Sequence, residues 1–348
     1  MLFGTDNITD PVPVPPGFEP GYSPIDGYGN LLPHPSPIIA SDFDAWFFLF
    51  WAGLLVVGLA VPWATVRLFK HKDPLPWLML LAGFGTSLGE PMLDLVGHLR
   101  WSENIHGPAF TNFGIPVPLL IPPCYALFMG LEAYWIWSII QKGINKRAFF
   151  LMFAAVGISD AIMEHPGVIM GVYEYYGQQP FEFYKFPFYW SFINGAAICS
   201  IAVVLHYVWP RVQGKGLKML WVVPIGIVAT TAAEFGTGFP VFLAINADIP
   251  VWLQWVIGSG SLFLAVFWIS KLGDLVCTES SLNWTFWGLF KSRFMTPSAR
   301  HRYIESIGWN ADIEPPSSEW PPVRWVERAV SPTTTSTPGS TPPEKVGV

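Results

Sequence analysis

The chain has 348 residues, 51% of them hydrophobic and only 13% charged, where a soluble domain carries roughly 25% charged residues; mean hydropathy is +0.39. The net charge is −6, from 19 basic and 25 acidic residues. There is no basic groove with stacking aromatics, so nothing argues for nucleic-acid binding, and three cysteines without a CxxC spacing give no disulfide framework.

Residues 1–42 are rich in proline and glycine and contain no Lys or Arg ("PVPVPPGFEPGYSPIDGYGN"). Lacking a charged n-region followed by an apolar h-region, the stretch does not read as a cleavable signal peptide. It is expected to form an extended outer tail, and Asn7-Ile8-Thr9 is a glycosylation sequon that matters only in a eukaryotic source.

Residues 43–272 read as a membrane domain. Apolar runs near 43–66, 75–98, 115–140, 148–172, 186–209, 217–245 and 250–272 are each long enough to cross about 30 Å of hydrocarbon. This is an all-α pattern, a polytopic bundle of about seven transmembrane helices. Basic residues alternate from loop to loop. Arg67, Lys70 and Lys72 follow the first span; Lys142, Lys146 and Arg147 the third; Arg211, Lys215 and Lys218 the fifth; Lys271, Lys291, Arg293, Arg300 and Arg302 lie at or beyond the end of the seventh. The other loops hold only Arg100 and Lys185. The positive-inside rule then puts the N-terminus outside and the C-terminus in the cytoplasm. In 273–309, "LNWTFWGLFKSRF" suggests a helix lying in the inner interface. Residues 310–348 have the low-complexity composition of a disordered tail.

The even-numbered spans resemble one another: "LAGFGTSLGEPMLDLVGH", "AAVGISDAIMEHPGVIMG" and "PIGIVATTAAEFGTGFPVF" each carry small residues, then a Glu, then a proline. Glu90, Glu164 and Glu234 fall at similar offsets, as internal repeats would place them.

Ionisable groups inside hydrocarbon cost about 2.5–3.5 kcal/mol each even on the lenient insertion scale. Three helices with a glutamate at one level therefore point to a polar pocket. Glu90, Asp94 and His98 recur every four residues on one helical stripe, and Asp160 and Glu164 form a second such pair with His165 beside it. Carboxyl groups crowded in a dry pocket cannot all ionise, so at least one stays a neutral Brønsted acid at neutral pH. Glu90, Asp160 or Glu164 is the expected donor, with Asp94 or Glu234 tuning it. His98, His165, Trp190 and Asn194 are expected to line the substrate. Glu132 stands apart and reads as a packing residue.

No metal and no cofactor is implied: the Glu-x-x-His spacing of carboxylate di-metal helices is absent, and the outer half offers few cations for a diphosphate. Lys271 lies at the cytoplasmic end of its helix rather than mid-span, which argues against a retinal protein.

The helix count, the abundant aromatics and the acids of "LGEPMLD", "SDAIMEH" and "AAEFG" give a layout similar to two groups of membrane enzymes, the seven-helix terpenoid cyclases and the carotenoid-type hydratases. The resemblance implies an intramembrane acid that protonates an alkene or epoxide of a lipophilic, isoprenoid substrate, in contact with membrane lipids. This chain is longer at both ends than a minimal cyclase. The competing expectation is a proton-coupled transporter, in which carboxylates and histidines form a relay. The oligomeric state is not legible.

Overall fold

The computed structural model describes residues 39–309, apart from 106, 114, 280, 281 and 296. The outer tail up to residue 38, its sequon and the 310–348 tail lie outside the described residues. The helices are α1 (Asp42–Gly53), α2 (Val61–His71), α3 (Leu75–Thr86), α4 (Glu90–Gly97), α5 (Ile121–Tyr125), α6 (Glu132–Ile140), α7 (Lys146–Ile169), α8 (Tyr189–Val212), α9 (Val222–Ile245), α10 (Val251–Val276), α11 (Phe286–Ser292) and α12 (Pro297–Ser306).

Five helical runs are long and apolar enough to cross a membrane: Asp42–His71, Lys146–Ile169, Tyr189–Val212, Gly216–Ile245 and Val251–Val276. Two further runs, 75–97 and 121–140, pack with them. The most apolar 18 residues of α8 are 78% buried, against 22% for the first run. The central helix is therefore α8, packed on α6, α7, α9 and α10, while the first run turns Phe43, Trp46, Phe50 and Val57 outward.

Local chemistry sets the ends. Ser41 caps α1 by accepting from the Asp44 N–H at 3.1 Å, and Asn145 caps α7 by accepting from the Ala148 N–H at 2.9 Å. The expected span 115–140 starts late. Its first residues pair instead as an antiparallel ribbon of β2 (Pro108–Asn112) with β3 (Ile115–Pro118). Residues before proline favour extended backbone, and "IPVPLLIPPC" admits helix only from Ile121, where Pro122 can occupy the first turn. At the other end, α10 runs on to Val276, past the expected boundary at 272.

The run 75–97 is broken. Thr86 and Ser87 bond back to the carbonyls of Gly83 and Phe84 (2.6 and 2.7 Å), and Pro91 has no N–H to donate. The chain tightens into a 3-10 turn over Ser87–Gly89, and Glu90 opens a new helix. The corresponding prolines of the apparent repeat do not break their helices. Pro166 falls in the last turn of α7, and Pro240 lies inside a continuous α9. The Val241 N–H there bonds Ser261 Oγ of α10 at 3.0 Å, so a neighbouring helix satisfies backbone near the proline. The three-fold resemblance in sequence thus does not extend to local geometry.

A Cβ on Gly83 would stand 2.4 Å from the Tyr125 carbonyl oxygen, and one on Gly130 would stand 2.3 Å from that of Met79. Both are closer than real atoms approach. The two glycines let α3 lie backbone to backbone against residues 125–130, which fixes Tyr125 beside Glu90.

Candidate functional site

The acids are gathered by a short ribbon outside the helices. β1 (Leu99–Trp101) leaves the end of α4 and pairs antiparallel with β4 (Tyr173–Tyr175), which leaves the end of α7. Arg100 faces Glu174 across the ribbon, with a 2.5 Å ion pair, and Trp101 faces Tyr173 with ring centroids 4.9 Å apart. Each strand folds a ring back onto its own helix. Trp101 Nε1 donates to Asp94 Oδ2 at 3.1 Å, and the Tyr173 hydroxyl donates to Glu164 Oε2, as does Tyr175 at 3.3 Å. The "YEYYGQQPFEFYKFPFYW" loop is thus strand and turn: β4, then the β5 (Glu182–Phe183) and β6 (Phe186–Pro187) hairpin.

The structure brings all five expected acids into one electrostatic neighbourhood. Glu90 interacts with Glu164, Asp94 with both, Asp160 with Glu164, and Glu234 with Glu90. Glu90, Asp94, Asp160 and Glu234 are buried, each no more than 6% exposed, and Glu164 is half-buried. Four of the five accept from a side-chain donor. Tyr125 bonds Glu90, Trp101 bonds Asp94, Tyr173 and Tyr175 bond Glu164, and Asn194 Nδ2 reaches Asp160 Oδ1 at 3.0 Å. Asp160 Oδ2 and Glu234 Oε1 are buried without a hydrogen-bond partner. Cys124, next to Tyr125, also feels Glu90 and Glu164.

The expected lining residues divide. Asn194 holds Asp160, and Trp190 lies over Gly97 beside Phe242 and Tyr175, its Nε1 unpartnered. His98 bonds no acid: it ends α4 in a left-handed conformation, contacts Asn246 Oδ1 at 3.1 Å and stacks on Tyr176 at 4.9 Å. Burial pushes that tyrosine's hydroxyl up to about 12. His165 contacts its own helix at the Ala161 carbonyl (2.7 Å) and is ringed by Phe183, Phe186 and Phe188. Among the described residues, no three His, Cys, Asp or Glu side chains are grouped to hold a metal ion.

Glu132 is not the lone packing residue the sequence suggested. Arg293, in the turn after α11, enters the bundle with its side chain 4% exposed and pairs with Glu132 at 3.4 Å. It also donates to Ser159 Oγ and lies over the Trp135 and Phe290 rings at 4.6 and 5.0 Å. Burial lowers the Arg293 guanidinium from its usual range and Glu132 opposes that shift. Arg300 secures the turn through the Ser292 carbonyl (2.8 Å) and Ser138 (3.0 Å), and Trp135 Nε1 donates to Ser292 Oγ at 2.9 Å. The expected interfacial helix is therefore only half that. Trp287 and Phe294 face outward, while Leu289 and Ser292 are buried in the bundle. Trp135 belongs to this group, not to the acid cluster.

No protein-family model matches this chain, and no curated protein or solved structure is detectably similar to it.

Sequence reasoning missed Tyr125, Trp101, Arg293 and the role of Tyr173 and Tyr175 as donors to an acid. Buried carboxyl groups need donors, and tyrosines flanking the acid-bearing segments were the available signal.

Proposed function

We propose that the chain is a seven-span integral-membrane enzyme, N-terminus outside and C-terminus cytoplasmic, that acts on a lipid-like isoprenoid substrate by carboxylic-acid protonation, as in terpenoid cyclisation or hydration. The observation that carries this reading is the convergence of five acids from α4, α7 and α9, four of them buried, with two carboxyl oxygens left unpartnered. A carboxyl group kept from water stays neutral and can donate a proton. The aromatic rings of Trp190, Tyr175 and Phe242 stand by to face a developing cation. The membrane setting is supported by the apolar outward faces of the helices, among them Val228 and Phe263, and by the loop-by-loop alternation of basic residues.

Arg293 favours this reading over a proton-coupled transporter. α7 rises 1.5 Å per residue, so Ser159 lies about 20 Å from the Lys146 end. Arg293 reaches that depth. Paired with Glu132 and held by Ser159, Trp135 and Phe290, it fills the side where a relay would have to continue.

The test is alanine replacement of each acid, with product formation followed in isolated membranes. Loss of turnover in Glu90→Ala and Glu164→Ala is expected. Full turnover in both ends the proposal, and pH-driven solute flux in proteoliposomes would then favour the transporter.

A further inference from the structure

The five acids are not equivalent. Glu90, Asp94, Asp160 and Glu164 each accept from a named tyrosine, tryptophan or asparagine. Glu234 accepts from none of these: it is 3% exposed, its Oε1 is buried without a partner, and its flanking Thr230 and Thr237 spend their hydroxyls on the backbone carbonyls of Gly226 and Ala233 (3.0 and 2.7 Å). An ionised carboxylate in such surroundings would go unsolvated, at a cost far above that of the neutral acid. A buried polar group with no protein partner calls for an explanation. A neutral carboxyl group, whose burial costs far less than that of a carboxylate, answers this.

We propose that Glu234 is the catalytic proton donor of this cluster and that Tyr125 with Glu90 forms the pair that restores its proton. The inference rests on the protonation chemistry of the preceding subsection and changes the assignment of the donor, since the sequence favoured Glu90, Asp160 or Glu164. Tyr125 is bonded to Glu90 and interacts electrostatically with Glu234 as well. In the step, the Glu234 O–H bond breaks and a C–H bond forms on one carbon of the substrate's C=C, leaving a carbocation and a carboxylate. The cation then loses a proton from a neighbouring carbon to the Glu90 carboxylate. Transfer through the Tyr125 hydroxyl returns that proton to Glu234. Protons and electrons balance without a co-reactant, and the product is an isomer of the substrate.

Dicyclohexylcarbodiimide provides a test that needs no substrate. It adds to neutral carboxyl groups in apolar surroundings: the acid proton goes to nitrogen, the carboxyl oxygen bonds the central carbon, and the adduct rearranges to a stable N-acylurea. The full chain in phosphatidylcholine liposomes is treated at pH 7 and the adducts are mapped by peptide mass spectrometry. Glu234 is expected to carry at least ten-fold more label than any of the other four acids, in the wild type and in Glu90→Gln alike. Glu234→Gln should lose the label and keep the wild-type Tm, because the amide replaces a neutral acid of the same shape. Preferential labelling of another acid, no labelling of Glu234, or a Glu234→Gln variant that unfolds would each overturn the assignment. Label on Glu234 in a chain that makes no lipid product would leave the assignment standing and remove the isoprenoid reading. Label elsewhere in a chain that does make product would do the reverse.

Discussion

Trp101 and Tyr173 face one another across a two-stranded ribbon, and each hands its hydrogen to an acid on the helix its own strand has just left. One register therefore fixes two acids at once, Asp94 of α4 and Glu164 of α7. A slip of one residue would turn both rings to the opposite face.

Tyr173 reaches Glu164 by lying across Gly167, where a Cβ would stand 2.3 Å from its Cε1. Gly167→Ala is expected to push the ring aside and cost about 1–3 kcal/mol. Tyr173→Phe, which removes only the donor, should cost about as much. Unfolding in mixed detergent measures both. In a Tyr173→Ala background Gly167→Ala should be close to neutral, and an undiminished cost there would show that the contact is not the cause.

Ser261 answers the backbone beside Pro240. Ser261→Ala leaves the buried Val241 N–H without its 3.0 Å partner, at an expected cost of about 1–3 kcal/mol. Hydrogen exchange should quicken at Val241 and not along α8. Unchanged exchange at Val241 would mean that the bond contributes nothing.

Removing Arg293 strands Glu132. Arg293→Ala is expected to destabilise by about 3–5 kcal/mol, as for other buried pairs broken on one side. The Glu132→Gln/Arg293→Gln double variant should recover most of the loss, because it leaves no uncompensated charge. Equal melting of the single and double variants would contradict the pairing seen at 3.4 Å.

The close approach at Gly130 is backbone against backbone, so no side chain can give way there. Gly130→Ala should separate α3 from residues 125–130 and loosen Tyr125 from Glu90. The expected signature is a fall in Tm with a changed tyrosine environment in the near-ultraviolet spectrum. A variant with the wild-type Tm would place the helices further apart than described.

The acids were legible in the sequence because ionisable groups in apolar runs are costly and therefore conspicuous. Glu90, Asp94, Asp160, Glu164 and Glu234 all stood out in this way, and the fold gathers them in one electrostatic neighbourhood. Their donors were not legible. β1 and β4 are three residues each, too short to show a period, so nothing local announced that Trp101 would meet Tyr173. Glu132 and Arg293 are joined only by the folded chain, and each alone reads as something else: a packing acid and a charge of the inner collar. The similar Gly–Glu–Pro spacing of three spans suggested one shared geometry. Only Pro91, in the first turn after a Thr-Ser pair that bonds backward, breaks its run.

The central claim is that an acid in this cluster puts a proton onto carbon. Membranes holding the chain or Glu234→Gln, equilibrated in deuterated water and then given a sub-stoichiometric amount of unlabelled lipid extract from cells without the chain, test it most directly. The account predicts, with the chain alone, a product isomeric with a supplied lipid and carrying one carbon-bound deuterium from the pre-exchanged acid. The same lipid profile with both, or a product with no carbon-bound deuterium in this first turnover, would contradict it.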